Sequence, residues 1–258
     1  MGRVICVCNQ KGGVGKTTTA VNLASCMALA EKRTLLIDLD PQANASSGLG
    51  IRLATGEKSV YDLLLERETC KDLVKSTVLD YLHLLPATQD LIGAEVELIT
   101  LAARERLLSK ALVDTRSLYD YIFIDCPPSL GFLTLNALVA SDTVLVPIQC
   151  EYYALEGVGN LIHTIRRVRA SYNRALRIEG FLLTMFDARN NLSHQVAEDV
   201  RHNLTSQVFD TVIPRNVKLS ESPSFGKPVV LYDITSRGAV SYLDLSKEIM
   251  DAEGNGNA

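Results

Sequence analysis

The sequence predicts an α/β fold in which a doubly wound, mainly parallel sheet is flanked by helices. Short apolar runs rich in β-branched residues alternate along the chain with stretches of helical periodicity. Two of these runs, TLLIDLD at 34–40 and YDYIFID at 119–125, are largely apolar, as strands covered on both faces are. Both end in aspartate, and an open α/β sheet binds its ligands at the carboxyl ends of its strands.

The first predicted strand leads into a glycine-rich loop and then into a helix. The segment VICVCNQKGGVGKTTT at 4–19 starts apolar and reaches a lysine and three threonines after its glycines. Glycines let backbone N–H groups close around an anion, and the following helix directs its positive end at that anion. Lysine then adds a point charge and threonine can hold Mg²⁺. The sequence therefore predicts a nucleoside triphosphate site formed by Lys11, Gly12, Gly13, Val14, Gly15, Lys16, Thr17 and Thr18.

The helix after this loop is predicted over 17–30, where alanine, leucine and methionine recur at helical spacing. The next strand, 34–40, carries Asp38 and Asp40 at its end, and the alternation of a strand puts both on the same side. Two interpretations of this pair remain open. It either holds Mg²⁺-bound water or orients the attacking water, or else it caps the next turn.

Between residues 42 and 113 the sequence predicts mostly connecting structure. Residues 42–60 are polar and glycine-rich, which indicates a loop with at most a short helical turn near the site. A short helix is predicted within 61–79, and a third strand at 81–87. Apolar residues at helical spacing then predict a single helix over 90–113 with a charged opposite face.

The strand predicted at 119–125 ends in a residue suited to binding a metal ion. Asp125 would hold Mg²⁺ through water, while Pro127 and Pro128 would stop the strand and turn the chain. An isolated aspartate at a strand end is common, so this assignment depends on the loop and the acids that precede it. The next predicted strand ends at Pro147, and a helix begins near Ala154.

The last third of the chain is predicted to add two strands and two helices. A strand at 178–186 leads into the sequence DARNN, and the helix after it is capped by Ser193. Another strand and a long turn-rich segment occupy 211–233, and a final helix spans 238–250. We therefore expect one domain over residues 1–250 and a short, flexible, mildly acidic tail over 251–258.

Composition narrows the class of protein. The chain has 258 residues, of which 47% are hydrophobic and 22% charged, as in ordinary globular domains. No apolar run approaches the roughly 18 residues that span a bilayer, and the chain starts with a strand rather than a signal segment. We therefore expect a cytoplasmic protein. The six cysteines contain no C-x-x-C pair, which favours buried free thiols.

The net charge of −4 argues against a nucleic-acid binder, but the charge is unevenly distributed. Residues 163–237 contain eleven Lys or Arg against seven Asp or Glu, and the rest of the chain contains fifteen against twenty-three. Such an asymmetry can place a basic face on an acidic molecule. The same residues could equally be ordinary solvated charges.

Five motifs together resemble the ParA/MinD ATPases, whose loop is a deviant Walker A motif. They are KGGVGKT at 11–17, DLDPQ at 38–42, DCPPS at 125–129, MFDAR at 185–189 and IPRNVKLSESPSFGKP at 213–228. The last two resemble the ParA/Soj branch in particular. Gln10 stands where the general loop template has glycine, and Lys218 stands where that branch has arginine.

The resemblance implies a role for each matched residue. Lys11 would reach across a dimer to the partner's nucleotide, and Asp40 would be the hydrolytic carboxylate. The catalytic set would be Lys11, Lys16, Asp40 and Asp125, and the metal set Thr17, Asp40 and Asp125. Pro214 and Asn216 would cover the adenine, and Arg189, Arg215 and Lys218 would bind DNA.

The function that the resemblance implies is a DNA-segregation switch. ATP and Mg²⁺ would close two subunits into a sandwich homodimer that binds double-stranded DNA without sequence preference. A ParB/Spo0J-like centromere-binding protein would stimulate an otherwise slow hydrolysis, and the ADP form would release the DNA. The protein would be cytoplasmic and associated with the nucleoid, with no membrane contact. The loop lies so near residue 1 that we expect no N-terminal DNA-reading domain.

Two other functions use the same core. A MinD-like, membrane-associated ATPase that positions cell division would carry a basic amphipathic C-terminal helix, whereas this chain ends in DAEGNGNA. An iron–sulfur carrier would need paired cysteines at the dimer face. Because Cys126 is alone in its region of the sequence, that interpretation is the weaker of the two.

Overall fold

The computed structural model describes residues 2–151, 154, 156–204 and 207–256. In these residues eight strands form one sheet in the order β3-β4-β2-β5-β1-β6-β7-β8. Each neighbouring pair is parallel except β3 with β4, which confirms the predicted doubly wound, mainly parallel sheet. The strands are β1 (Arg3–Val7), β2 (Thr34–Asp38), β3 (Lys75–Ser76), β4 (Leu82–Leu85), β5 (Tyr121–Asp125), β6 (Thr143–Gln149), β7 (Arg177–Phe186) and β8 (Val208–Pro214).

Helices connect these strands and cover both faces of the sheet. They are α1 (Lys16–Leu29), α2 (Asn44–Gly48), α3 (Val60–Leu64), α4 (Cys70–Leu73), α5 (Leu91–Glu97), α6 (Leu107–Ala111), α7 (Phe132–Ala140), α8 (Glu156–Ser171), α9 (Asn191–Leu204), α10 (Val217–Glu221), α11 (Val229–Tyr232) and α12 (Arg237–Gly256). Within the described residues, no helix combines the length and apolar character needed to cross a bilayer.

Two apolar clusters lie on opposite faces of the sheet. Alternate residues of β1 enter different clusters: Val4 and Cys6 belong to one, and Ile5 and Val7 to the other. The first cluster includes the buried sides of α7, α8 and α9, and the second those of α1 and α12. Apart from the half-buried Arg3, the central strands β1, β2 and β5 are buried throughout, which explains why their sequences are nearly continuous apolar runs.

The single helix predicted over 90–113 is wrong, because the segment is broken into short pieces. After α5 come single turns of 3-10 helix at Leu98–Thr100 and Arg104–Arg106, and then α6. Ala103 between them has a left-handed backbone with φ 51°. The side chain of Asn136 on α7 satisfies two backbone groups at the break: it donates to Arg104 O at 2.8 Å and accepts from Leu108 N at 3.2 Å. These tertiary contacts override the helical pattern.

Two other segments differ from the sequence prediction, the region 61–79 and the final helix. The region 61–79 holds two short helices, α3 and α4, and also the edge strand β3, which the sequence analysis missed. Ser59 and Asp62 form a capping box that starts α3 at Val60. The final helix continues to Gly256, six residues beyond the predicted end at residue 250. Residues 257 and 258 of the predicted tail lie outside the described residues.

The turn that leads into α11 touches the turn after α2 through two glycines, and this contact yields a stability prediction. A Cβ on Gly226 (φ 61°) would lie 2.7 Å from the Cα of Gly50. We expect Gly226→Ala to lower the free energy of unfolding by about 2–4 kcal/mol, from backbone strain plus steric overlap. Urea unfolding measures this loss.

The matched control for this prediction is Gly56→Ala. Gly56 also has a positive φ, 85°, but a Cβ there would meet no atom within 4 Å. We expect this variant to lose only the backbone term, about 1–2 kcal/mol. Equal losses in the two variants would show that the contact between Gly226 and Gly50 contributes nothing.

Candidate active site

The predicted glycine-rich loop lies between β1 and α1. Gly13 and Gly15 have left-handed backbones, with φ 73° and φ 87°, which glycine adopts without strain. Gly15 is the N-cap of α1, so the free N–H groups in the first turn of this helix point towards the loop. This geometry suits a phosphate group, because both the free N–H groups and the helix dipole favour an anion there.

The loop is tied to neighbouring strands by side chains that the sequence analysis did not single out. The Asn9 side chain donates to Pro147 O at 2.7 Å and accepts from Lys11 N at 3.1 Å. The Thr184 hydroxyl of β7 donates to Val14 O at 2.9 Å. These bonds fix both ends of the loop before any ligand binds.

The two lysines of the loop have different surroundings. Lys16 is buried, and its Nζ donates to the carbonyl of Lys11 at 3.1 Å, so it lies inside the curve of the loop. The Lys11 side chain leaves the loop, and its Nζ lies 3.7 Å from Glu151. The same Glu151 carboxylate lies 4.0 Å from the guanidinium of Arg215. Lys11 and Arg215 therefore share one acidic partner.

Of the two acids predicted at the end of β2, Asp38 has a structural role. Asp38 is fully buried and accepts hydrogen bonds from the backbone N and the hydroxyl of Ser46, at 2.8 and 2.7 Å. Burial raises the pKa of Asp38 to about 6, although the Ser46 bonds oppose this. Asp38 therefore anchors α2, which is the capping role left open by the sequence.

Asp40 lies just beyond the strand end and is directed at the loop. One of its oxygens accepts from Gln42 N at 2.9 Å, and the residue is only 7% exposed. Asp40 lines one cavity together with Lys16, Thr17 and other loop residues. The lining residues are Gly12, Gly13, Gly15, Lys16, Thr17, Thr18, Asp40, Gln42, Asn44, Pro128 and Met185.

Asp125 at the end of β5 is a buried carboxylate that forms no hydrogen bond of ordinary geometry with the described residues, although the Thr17 hydroxyl is near enough to lower its pKa. It is 0% exposed. Burial and then Asp38 raise its pKa well above the usual range, while Thr17 and Lys16 act in the opposite direction. A buried, unpaired carboxylate is costly unless a cation compensates it. Together with the Thr17 hydroxyl it offers the oxygen ligands that Mg²⁺ prefers, so these residues fit a magnesium ion.

A second cavity adjoins the first and contains the residues predicted to cover an adenine. It has a volume of about 270 Å³ and shares Gly15, Thr18 and Met185 with the first cavity. Its lining residues are Gly15, Thr18, Thr184, Met185, Ile213, Pro214, Arg215, Asn216, Leu219, Ser220, Pro223 and Tyr242. Pro214 and Asn216 thus lie beside the loop in the fold, and their contact with a base stays a prediction.

The basic residues predicted to bind DNA are exposed, and each has an acidic neighbour. Arg189 makes two hydrogen bonds to Asp187, both at 3.0 Å, and its side chain is 88% exposed. These bonds lower the pKa of Asp187 to about 2. Lys218 lies 3.1 Å from Glu221. Exposed pairs of this kind contribute little stability, so their cations stay free to bind other anions.

Comparison with known proteins decides the family. The AAA domain family model matches residues 2–178. The chromosome partitioning protein ParA of Myxococcus xanthus is 58% identical over 97% of this chain and 88% of its own length. The sporulation initiation inhibitor protein Soj of Bacillus subtilis is 56% identical, over 96% of this chain and 98% of its own. This chain belongs to the ParA/Soj family of chromosome-partitioning ATPases.

Solved structures agree with the fold of this ParA/Soj family member. The structure from Mycobacterium smegmatis described as cobyrinic acid a,c-diamide synthase with a bound ATP analogue and magnesium matches with TM-score 0.88 and 36% identity. It covers 99% of this chain, which covers 97% of it. The cell division ATPase MinD of Pyrococcus furiosus matches with TM-score 0.81 and 26% identity, covering 98% of this chain and all of its own.

Proposed function

We propose that this ParA/Soj family member is a single-domain ATPase that uses ATP to switch DNA binding on and off. The observation that carries the proposal is the 58% identity to a chromosome partitioning protein over nearly the entire chain. The ATP analogue and magnesium in the Mycobacterium smegmatis structure support ATP and Mg²⁺ as the ligands here. The diamide synthase described for that structure is the less favoured function, because the identity to it is only 36%.

Residues of the loop and of the ends of β2 and β5 have separate roles in binding and hydrolysing ATP. Loop N–H groups and Lys16 bind the phosphates, while Thr17 and Asp125 hold Mg²⁺, with Asp40 nearby. When bound, the magnesium ion neutralises charge on the phosphate oxygens. Asp40 positions the attacking water, and Pro214 and Asn216 contact the base. Phosphoryl transfer needs mainly such positioning and charge stabilisation.

The active form is a homodimer completed by Lys11. Its ammonium lies at the outer side of the loop, where a second subunit could present a nucleotide. To reach that nucleotide, Lys11 would leave Glu151, which also neighbours Arg215. Closing of the dimer would therefore remove one of the two cations beside Glu151. This exchange of partners supports a link between the nucleotide and a basic residue of the DNA-binding face.

DNA is bound without sequence preference, through phosphates. The proposed DNA-binding residues follow the carboxyl ends of β7 and β8, and the loop follows the carboxyl end of β1. They therefore lie at the same end of the parallel strands as the loop: Arg189, Arg215 and Lys218. The dimer doubles the number of these phosphate contacts, which offsets the repulsion between DNA and the net negative charge of the chain. A ParB/Spo0J-like partner stimulates hydrolysis and thereby release, and the protein is cytoplasmic and associated with the nucleoid.

The test of this function is binding to a random-sequence DNA duplex without nucleotide, with ADP and with ATP, over a series of salt concentrations. We expect binding only with ATP, falling steeply as salt rises. The same three samples are mixed with anionic vesicles. Binding to vesicles but not to DNA in the ATP state would refute DNA partitioning and favour the MinD-like alternative.

Arg189→Ala should weaken DNA binding without changing ATP binding. One phosphate contact per subunit would be lost, so the slope of log affinity against log salt should fall in magnitude by about 2. We expect a drop in DNA affinity of about 10-fold at moderate salt. Fluorescence anisotropy with a labelled duplex measures both quantities.

Arg33→Ala is the matched control for Arg189→Ala. Arg33 is also an exposed arginine hydrogen-bonded to an aspartate, Asp120. It precedes β2, so it lies at the amino ends of the parallel strands, opposite to the end that carries the loop. Its removal changes the net charge equally and should leave the salt slope unchanged. Equal effects of the two substitutions would mean that only net charge matters and that Arg189 makes no specific phosphate contact.

A further inference from the structure

Three buried cysteines bring their sulfur atoms together directly behind the phosphate loop. Cys6 belongs to β1, Cys8 follows it, and Cys126 comes immediately after β5. All three residues are 0% exposed and free of disulfides. Their Sγ atoms all lie within 4.8 Å of one another, and those of Cys6 and Cys126 are 3.3 Å apart. Cys126 is isolated in the sequence, but the fold places its sulfur beside those of Cys6 and Cys8.

The sheet topology explains why the three sulfurs meet. Residues two apart on a strand share a face, so Cys6 and Cys8 point to the same side. In the β1–β5 pair Cys6 is opposite Ile124 and Val7 opposite Asp125, which brings Cys126 beside Cys8. The backbone N of Cys126 donates to Val7 O at 3.3 Å and continues this register. The rigid central strands therefore preorganise the three thiols.

We propose that Cys6, Cys8 and Cys126 form a binding site for a soft, thiophilic monovalent cation, with Cu(I) as the best-fitting ion. Three sulfurs around a planar three-coordinate ion at bonds of about 2.3 Å are separated by about 4 Å. The three sulfurs already lie within 4.8 Å of one another, and the Cys6–Cys126 pair, at 3.3 Å, needs to open by less than 1 Å.

The number and kind of ligands favour Cu(I) over zinc. Thiolates select soft ions, and zinc in closed structural sites takes four ligands. Among the described residues, the cluster contains these three sulfurs and no histidine or carboxylate ligand. A site with three sulfurs therefore suits an ion that accepts three-coordination better than one that requires a tetrahedron.

Burial raises the pKa of Cys6 and Cys126 well above the ordinary thiol value, whereas hydrogen bonds from Cys126 and Cys6 lower the pKa of Cys8. Copper ligation therefore has to displace thiol protons, and it should weaken as pH falls. Each sulfur–copper bond that forms would release one thiol proton to solvent, and the ion enters and stays as Cu(I), so no electron is transferred. The positive charge of Lys16 offsets part of the negative charge on the thiolates.

The test is an anaerobic titration of the full chain with Cu(I) held by the chromophoric chelator bicinchoninate, in a non-thiol reductant. We expect the wild-type protein to remove one Cu(I) per chain from the chelator and to gain an ultraviolet sulfur-to-copper charge-transfer band. Because even outer partners of a metal site contribute 10–100-fold, we expect Cys6→Val and Cys126→Ala each to lower Cu(I) affinity by more than about 100-fold.

Cys26→Ala and Cys150→Ala are the matched controls, since both remove a buried free thiol outside the cluster. They should keep the affinity of the wild type. A wild-type protein that takes no Cu(I), or cluster variants that bind as well as the controls, would overturn the proposal. If the cluster variants fail to fold in a thermal melt, X-ray absorption of the copper-loaded wild type decides instead. Three sulfurs at about 2.3 Å would support the site, and nitrogen or oxygen ligands would refute it.

Discussion

Asp40→Ala is expected to lower ATP hydrolysis by at least about 100-fold while ATP binding and ATP-dependent DNA binding persist. Asp40 lies in the same cavity as Lys16 and Thr17, and within the described part of the chain its side chain is held by one hydrogen bond, from Gln42 N. Its removal should therefore spare the loop and take away the group that we propose positions the attacking water. Phosphate release measures hydrolysis, and anisotropy with a labelled DNA duplex measures binding.

Asp38→Asn is the matched variant, because Asp38 lies two residues away on the same strand end but is bonded to Ser46. Both Ser46 bonds reach the same oxygen, which an amide oxygen can replace, but the other oxygen accepts from Asp40 N at 3.2 Å and an amide NH₂ there cannot accept. We therefore expect a loss of about 1–3 kcal/mol in unfolding free energy. Hydrolysis per folded molecule should change far less than in Asp40→Ala. The opposite outcome, with full stability and lost hydrolysis in Asp38→Asn, would exchange the roles assigned to the two aspartates.

The phosphate loop and the strand-end acids could be predicted from sequence because their determinants are local. A left-handed backbone at Gly13 and Gly15 needs glycine, and the helix that follows starts at once. Asp125 ends a strand and Asp40 follows one by two residues, and the apolar residues of both strands define them. The sheet then brings these ends together because β2 and β5 are neighbours. A parallel sheet turns short local patterns into one site.

The features that the sequence did not reveal depend on contacts between distant residues. The Asn136 side chain of α7 hydrogen-bonds to the backbone O of Arg104 and the backbone N of Leu108. The helical pattern of residues 90–113 does not predict this contact. Cys8 and Cys126 meet only because β5 pairs with β1. Met185, which lines both cavities, has φ 53°, a conformation that a methionine in a sequence does not suggest.

The two lysines of the loop should separate nucleotide binding from dimer formation. Lys16 is buried inside the loop, where its ammonium would bind a phosphate of the same subunit's nucleotide. We expect Lys16→Ala to lower ATP affinity by about 10- to 150-fold, the value of one charge-assisted hydrogen bond. Lys11→Ala should change ATP affinity by less than about 3-fold, since Lys11 lies outside the loop near Glu151.

The second readout is the ATP-dependent dimer, measured by light scattering at saturating ATP. Because Lys11 is proposed to act on the partner's nucleotide, Lys11→Ala should stay monomeric even when ATP is bound, and its hydrolysis and DNA binding should fall together. Lys16→Ala should fail earlier, at nucleotide binding itself. If Lys11→Ala dimerised like the wild type, its ammonium would not act across the interface, and its pairing with Glu151 would have to be its main role. Hydrolysis by such a dimer would then depend on Lys16 and Asp40 within each subunit.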